Sequence, residues 1–128
     1  MFRKLLISSI ISTNIGYTLF LFPTLGMLYP NRVPLNLYNL AMFLLIDSFW
    51  GAILAIVIYF ISRLSRLDIA RASMLSILLL WILFWLLTIS LSRNPIMIEN
   101  IIVVFLDGIA AFITWIALLK FVKYYIYK

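Results

Sequence analysis

The sequence predicts an all-α fold, a polytopic integral membrane protein in which four transmembrane helices form one bundle. The first observation is composition: 66% of the residues are hydrophobic and 11% are charged, whereas a soluble domain carries about 25% charged residues. The second is the presence of four apolar runs, each close to the roughly 20 residues that a membrane-spanning helix needs. We predict transmembrane helices at about residues 5–28, 37–61, 72–91 and 98–119, in a single membrane domain covering residues 1–128.

The segments between these runs are short and contain the residues that end helices. Pro30 and Pro34 lie in the first link and Pro95 in the third, where a missing backbone N–H has little cost. Pro23 instead falls inside the first run, and we expect it to kink that helix or end it early. In the middle link, Asp68 and Arg71 have the i, i+3 spacing of a helical ion pair.

Residue usage excludes several classes of function. The chain contains no cysteine and no histidine, so disulfides, thiolate or imidazole metal sites and histidine general bases are excluded. We therefore predict no metal and no cofactor. The net charge of +6 comes from bases beside the apolar runs and not from a soluble basic face. The expected partners are membrane lipid and other membrane subunits or a second copy of the chain, and not nucleic acid.

The basic residues also predict orientation, because they concentrate on the cytoplasmic side of membrane proteins. Arg32 and Arg93 fall in the two links expected outside. Eight others fall on the opposite side, which predicts that both termini are cytoplasmic and that these side chains meet lipid headgroups: Arg3, Lys4, Arg63, Arg66, Arg71, Lys120, Lys123 and Lys128.

Two acidic residues, Asp47 and Asp107, lie inside apolar runs that contain no Lys or Arg. Asp47 precedes Arg63 by 16 residues and Asp107 precedes Lys120 by 13, which places them about 24 and 20 Å from the basic rim. An ionised carboxylate is too costly to leave unpaired there. Three states remain open: neutral acids that bond neighbouring helices, acids that line a wet cavity for a cation, or acids that face a base on another subunit. If the acids are close, they titrate as a coupled pair.

Small residues accompany both acids at helical spacing, which indicates that these faces meet other helices and not lipid. The residues that we predict to pack are Ser48, Gly51 and Ala55 in the second run, and Gly108, Ala111 and Thr114 in the fourth. Asn14 of the first run lies closer to the basic rim than the acids and completes the predicted polar centre. The aromatic stripe of the third run, Trp81, Phe84 and Trp85, is interpreted as packing or lipid contact.

The two halves of the chain contain similar segments. With one residue of slip, PLNLYNLAMFLLID at 34–47 aligns with PIMIENIIVVFLD at 95–107, so that Asn39 matches Asn100 and Asp47 matches Asp107. This alignment predicts two duplicated helical hairpins in a parallel repeat, related by an axis along the membrane normal.

Known families offer limited guidance. The chain lacks the Gly-x-Gly-Asp motif of presenilin-like proteases and the signature of lipoprotein signal peptidases, so we predict that it is not an enzyme. Its size, topology, duplicated hairpins and the segment TNIGYTLF at 13–20 resemble the GtrA-like proteins, which implies movement of polyprenyl-linked sugars. That family usually has an Asn-Arg-aromatic motif at the ends of helices two and four. Here those places read Ile61-Ser62-Arg63 and Lys120-Phe121-Val122, so we do not assign it.

Two functions are therefore predicted from the sequence. The first is a small non-catalytic accessory or structural subunit of a larger membrane complex, because the loops are minimal and cofactor ligands are absent. The alternative is a small oligomeric transporter or flippase for protons, cations or lipid-linked sugars that uses Asp47 and Asp107.

Overall fold

The structure, a computed structural model, describes residues 2–31, 33–91 and 98–126, and only the backbone of residues 88, 89, 91 and 98–100. Helix α1 spans Phe2–Leu28, α2 spans Leu37–Ser65, α3 spans Ile69–Leu91 and α4 spans Ile98–Phe121. All four are long and apolar enough to cross a membrane, which confirms the predicted all-α, multi-pass bundle. The predicted Arg32, Arg93, Pro95 and Lys128, and the side chain of Asn100, lie outside the described residues.

The helices follow one another around the bundle. Helix α1 packs against α2 and α4, and α3 packs against the same two helices. Consequently α2 and α4 lie across the bundle from each other, and so do α1 and α3. Half of the apolar span of α1 is buried, as against 28% for α2, 22% for α3 and 28% for α4, so α1 is the helix most enclosed by its neighbours.

Helix α1 changes its winding in the middle. Phe2–Thr13 is α-helical, Asn14–Leu21 is π-helical, and Phe22–Leu28 is α-helical again. The N–H of Phe22 donates to the Tyr17 carbonyl five residues earlier, as a π-helix requires. Pro23 explains where this segment ends, because its ring collides with the carbonyl four residues earlier in a regular α-helix. The helix therefore adapts before Pro23 and does not end there: it continues to Leu28.

The links between helices are built from local caps. Asn36 begins α2 by accepting a hydrogen bond from the Asn39 N–H at 2.8 Å. Helix α2 continues through Arg63 and ends at Ser65, since the basic side chains can reach the headgroup layer from a helix. Arg66 has left-handed geometry, φ 55°. Asp68 then caps α3 by accepting from the Arg71 N–H at 3.2 Å, and the predicted Asp68–Arg71 ion pair is present at 3.9 Å.

The apolar core occupies the end of the bundle that holds the chain terminus and the Arg63–Arg71 link. Beyond Phe121 the last helix continues as a π-helical segment, Val122–Ile126, that packs against α1. The buried members of the apolar core come from all four helices and from this last segment: Leu5, Leu54, Ala55, Ile58, Ile69, Ala72, Leu118, Val122 and Ile126. The two aspartates lie deeper along the bundle than this apolar core.

Candidate intramembrane site

Asp47 of α2 points into the bundle. Its side chain is 7% exposed, and Thr18 Oγ1 of α1 lies 2.6 Å from Asp47 Oδ2. Thr18 is itself only 1% exposed. The contact is therefore an interhelical hydrogen bond that is shielded from both lipid and solvent, and it holds α1 to α2.

Asn14 extends this contact by one helical turn. Its Nδ2 donates to the Ile10 carbonyl at 2.9 Å and to Ser48 Oγ at 3.1 Å, while Ser48 donates onward to the Leu44 carbonyl at 2.6 Å. On the other side of the amide, Thr18 Oγ1 lies 3.0 Å from Asn14 Oδ1. The predicted polar centre therefore includes Asn14, which reaches Asp47 through Thr18.

Counting hydrogen atoms restricts the protonation state of Asp47. The Ile10 carbonyl can only accept, so it fixes the amide of Asn14 with Nδ2 on that side and Oδ1 towards Thr18. Thr18 has one hydroxyl hydrogen and faces two oxygens, Asn14 Oδ1 and Asp47 Oδ2. Both contacts are full hydrogen bonds only when a protonated Asp47 donates to Thr18 and Thr18 donates to Asn14. The arrangement therefore fits a neutral Asp47 better than an ionised one.

Asp107 of α4 points into the same interior. It is 7% exposed, and the indole N–H of Trp85 on α3 donates to Asp107 Oδ2 at 2.8 Å. The Tyr17 hydroxyl also faces this carboxyl group, as does the N–H of Trp81, whose buried Nε1 falls short of a hydrogen bond. Each aspartate is thus hydrogen-bonded to the preceding helix of its own hairpin. The proposed duplication of the hairpins stays a prediction.

The two carboxyl groups belong to one cluster. Asp47 contacts Thr18 and Asp107 faces Tyr17, and these two residues are consecutive on α1. We call this cluster the polar centre, and it contains the side chains of Asn14, Tyr17, Thr18, Asp47, Trp85 and Asp107. None of the four apolar runs contains Lys or Arg, and the chain has no histidine. Within the apolar runs, the polar centre therefore has two acids and no base.

Close helix packing surrounds the polar centre, although not at every predicted residue. A Cβ added to Gly51 would lie 2.7 Å from the Ile10 Cα, and one added to Gly16 would lie 2.5 Å from the Ala110 carbonyl oxygen. Both glycines therefore permit close contact of backbones. Gly108 does not, because an added Cβ would meet only the Trp81 ring, at 3.5 Å. Ala55, Ala111 and Thr114 are buried, and Ser48 is partly buried.

The sequence reasoning missed three members of the polar centre. It named neither Thr18 nor Tyr17 among the residues of the predicted polar centre. It also interpreted Trp85 as packing or lipid contact, whereas the Trp85 indole bonds Asp107. The i, i+4 spacing of Asn14 and Thr18 predicts that they lie on one face of the helix, so Thr18 could have been included in the polar centre.

Within residues 2–31, 33–91 and 98–126, no three His, Cys, Asp or Glu side chains come together as metal ligands. The carboxyl, hydroxyl and amide oxygen atoms of the polar centre can bind a proton or a small cation, and all of its polar groups can bind water.

No protein-family model, curated protein or solved structure matches this chain in the comparisons made with each.

Proposed function

We propose that the protein is a small, non-catalytic membrane transporter whose polar centre binds a proton or a monovalent cation. The observation that carries the proposal is the presence of Asp47 and Asp107, each 7% exposed, in one cluster inside the bundle. Ionisable residues inside a membrane protein are costly, so they mark ion and substrate pathways more often than they serve as simple packing. Acids that face the interior of their own bundle also do not need a base from a partner subunit.

The chemistry of the cluster favours a proton or a small cation. The neutral form of Asp47 completes the hydrogen-bond chain through Thr18 to Asn14. If both acids lose their protons, two negative charges lie together without a base, and a cation or water must enter to compensate them. Binding of one cation and release of a proton at the same carboxyl group would therefore be coupled.

Buried hydroxyl groups lead from the basic end of the bundle towards the polar centre. Ser9 and Ser12 of α1 are fully buried, and their Oγ atoms have no hydrogen-bond partner within the described residues. Buried polar atoms are nearly always paired, with ordered water as a common partner. Ser9 and Ser12 precede Asn14 by five and two residues, which is within about one and a half helical turns. Water bonded at these two hydroxyls would therefore supply a polar route towards Asn14.

Reconstitution tests the proposed transport. Purified protein in liposomes with a trapped pH-sensitive dye should dissipate an imposed proton gradient, or take up sodium or potassium, faster than protein-free liposomes. Asp47→Asn and Asp107→Asn should abolish this flux, because Asn keeps the shape and hydrogen bonds but cannot bind and release a proton. Asp68→Asn is the matched control, since Asp68 lies on the link outside the spans and Asn also caps helices. Unchanged flux in both variants, or no flux of any of the three ions with the wild type, would refute the proposal.

We further propose that both termini are cytoplasmic, because eight of the ten basic residues fall on that side of the predicted topology. Reporter fusions after Lys128 and within 63–71 should then report a cytoplasmic position, and a fusion within 31–36 should report an external one. A reporter signal of the opposite kind at either cytoplasmic position would contradict this orientation.

An accessory subunit of a larger membrane complex is the second candidate function. This function is favoured by a row of aromatic rings on the outside of α2 and α3. Phe49 is 65% exposed, and the ring centroids of Phe49 and Trp50 lie 6.4 Å apart, and those of Trp50 and Phe84 6.3 Å apart. Purification from native membranes separates the two functions. A stoichiometric partner that is lost on Phe49→Ala would favour the subunit, and a defined homo-oligomer would favour the transporter.

A further inference from the structure

A long groove runs between the first half of α1 and the end of α4, away from the polar centre. It has a volume of about 530 Å³. Ile7, Ile11 and Ile15 of α1 line one side, and Ala117, Lys120 and Tyr124 line the other. The groove is therefore apolar along most of its length and ends at a cation and a phenol.

The shape of the groove follows from the spacing of these side chains. Ile7, Ile11 and Ile15 are four residues apart, so they form a straight ridge that rises about 12 Å along α1. Ala117 faces this ridge with a single methyl group, which leaves space that a larger residue would fill. Beyond Phe121 the π-helical segment Val122–Ile126 packs on α1 and brings both Tyr124 and Tyr125 to the same end of the groove.

The charged residues described at this end of the groove are cationic. Lys120 lines it directly, and Lys4 Nζ lies 5.4 Å from the centre of the Tyr125 ring. Helix α1 contains no acidic residue, and neither does the chain after Asp107. Among the described residues, an anion at this position would therefore meet the ammonium groups of Lys120 and Lys4 and two phenolic hydroxyls.

We propose that this groove binds one anionic phospholipid. Its acyl chain lies along the isoleucine ridge opposite Ala117, and its phosphate is bound by Lys120 and Lys4. The depth of the two ends supports this occupant, because the apolar part lies within the spans and the lysines lie at the level of the headgroups. A further helix is a poorer fit, because its apolar side chains would have to bury the two ammonium groups without a counter-charge. The proposal does not depend on transport.

Native mass spectrometry in detergent tests the proposal, with phosphatidylglycerol and phosphatidylcholine of identical acyl chains supplied in equal amounts. The wild type should retain one phosphatidylglycerol in preference to phosphatidylcholine. Lys120→Gln should reduce that preference about five-fold, the effect expected for one lysine near an anionic headgroup. Arg66→Gln is the control: it removes one positive charge from the same end of the bundle, but Arg66 lies on the link between α2 and α3 and does not line the groove.

Ala117→Phe tests the apolar part of the groove separately. The added ring should fill the space opposite the isoleucine ridge and reduce retention of both lipids, while the ammonium groups stay in place. Circular dichroism and size-exclusion profiles check that this variant folds. Equal retention of the two lipids by the wild type would overturn the proposal. Equal losses for Lys120→Gln and Arg66→Gln would also overturn it, because they indicate general surface attraction. Unchanged lipid retention in folded Ala117→Phe would place the lipid elsewhere.

Discussion

Replacing Thr18 with valine isolates the hydrogen bonds of the polar centre. Valine has nearly the same shape, so Thr18→Val removes the hydroxyl and leaves the packing of α1 unchanged. The hydroxyl contacts Asp47 Oδ2 at 2.6 Å and Asn14 Oδ1 at 3.0 Å, and its side chain is 1% exposed. Water cannot replace the hydroxyl group without a rearrangement of the helices. The loss of its two hydrogen bonds should therefore appear in full as a decrease in the free energy of unfolding.

The magnitude follows from the two contacts. Interhelical hydrogen bonds in membranes contribute about 0.6 kcal/mol on average and up to about 1.7 kcal/mol. The contact with Asp47 is at the short end for an O–H···O bond, which places it in the upper part of that range. The contact with Asn14 stays within α1 and contributes about 0.5 kcal/mol. Thr18→Val should therefore destabilise the bundle by about 2 kcal/mol.

Thr13→Val provides the matched control and a denaturant titration provides the assay. Thr13 lies on the same helix and is 4% exposed, but its hydroxyl donates only to the Ser9 carbonyl of α1, at 2.7 Å. Unfolding in mixed micelles of increasing dodecyl sulfate content, followed by circular dichroism, should show a loss of about 0.5 kcal/mol for Thr13→Val. A difference of less than about 0.5 kcal/mol between the variants would refute the reasoning. A double-mutant cycle of Thr18→Val with Asp47→Leu, which removes both partners of the hydrogen bond, should also give a coupling free energy near 1 kcal/mol.

Three further predictions use the same purified protein. Gly51→Ala should destabilise by about 1–3 kcal/mol, because its Cβ would lie 2.7 Å from the α1 backbone. Gly108→Ala should be neutral or stabilising, since the nearest atom lies 3.5 Å away on a ring; equal losses in the two variants would contradict this. Arg66→Gly should raise the free energy of unfolding by about 1 kcal/mol, because φ at this residue is 55°, and a loss of stability would show that the Arg66 side chain matters more than its backbone. Asp47→Cys combined with Asp107→Cys should crosslink within one chain through a short bridging reagent, and crosslinking only between chains would move the polar centre to an oligomer interface.

The positions of the helices could be predicted because every membrane-spanning helix must cross the same thickness of hydrocarbon. The apolar runs predicted spans at 37–61 and 72–91, and the structure extends these to Leu37–Ser65 and Ile69–Leu91. The differences lie at the basic residues, because a helix does not end where the hydrocarbon ends. Its backbone bonds continue into the headgroup layer, where side chains such as Arg63 are solvated.

The inward direction of both acids was also predictable, from the small residues that share their faces. Gly51 and Ala55 follow Asp47 at intervals of four residues, and small residues mark helix contacts because lipid offers no hydrophobic reason to associate. Their partners were harder to predict. Trp85 belongs to an aromatic stripe with exposed members, and only the arrangement of α3 against α4 determines that its N–H meets Asp107.

The π-helical segment of α1 contacts both of the helices that carry the acids. Pro23 disfavours a regular α-helix immediately before it, and the wider winding of Asn14–Leu21 is the response. A π-helical turn takes more than four residues, so Asn14 and Thr18 stay nearly aligned and both meet α2, while the adjacent Tyr17 faces Asp107 on α4. Consecutive residues of one helix thereby connect acids that lie on opposite helices of the bundle. Irregular helical turns of this kind are frequent at functional sites. The polar centre therefore depends on the winding of α1. A Pro23→Ala variant that restored regular α-helical winding should weaken the contacts of Asp47 and of Asp107 at the same time.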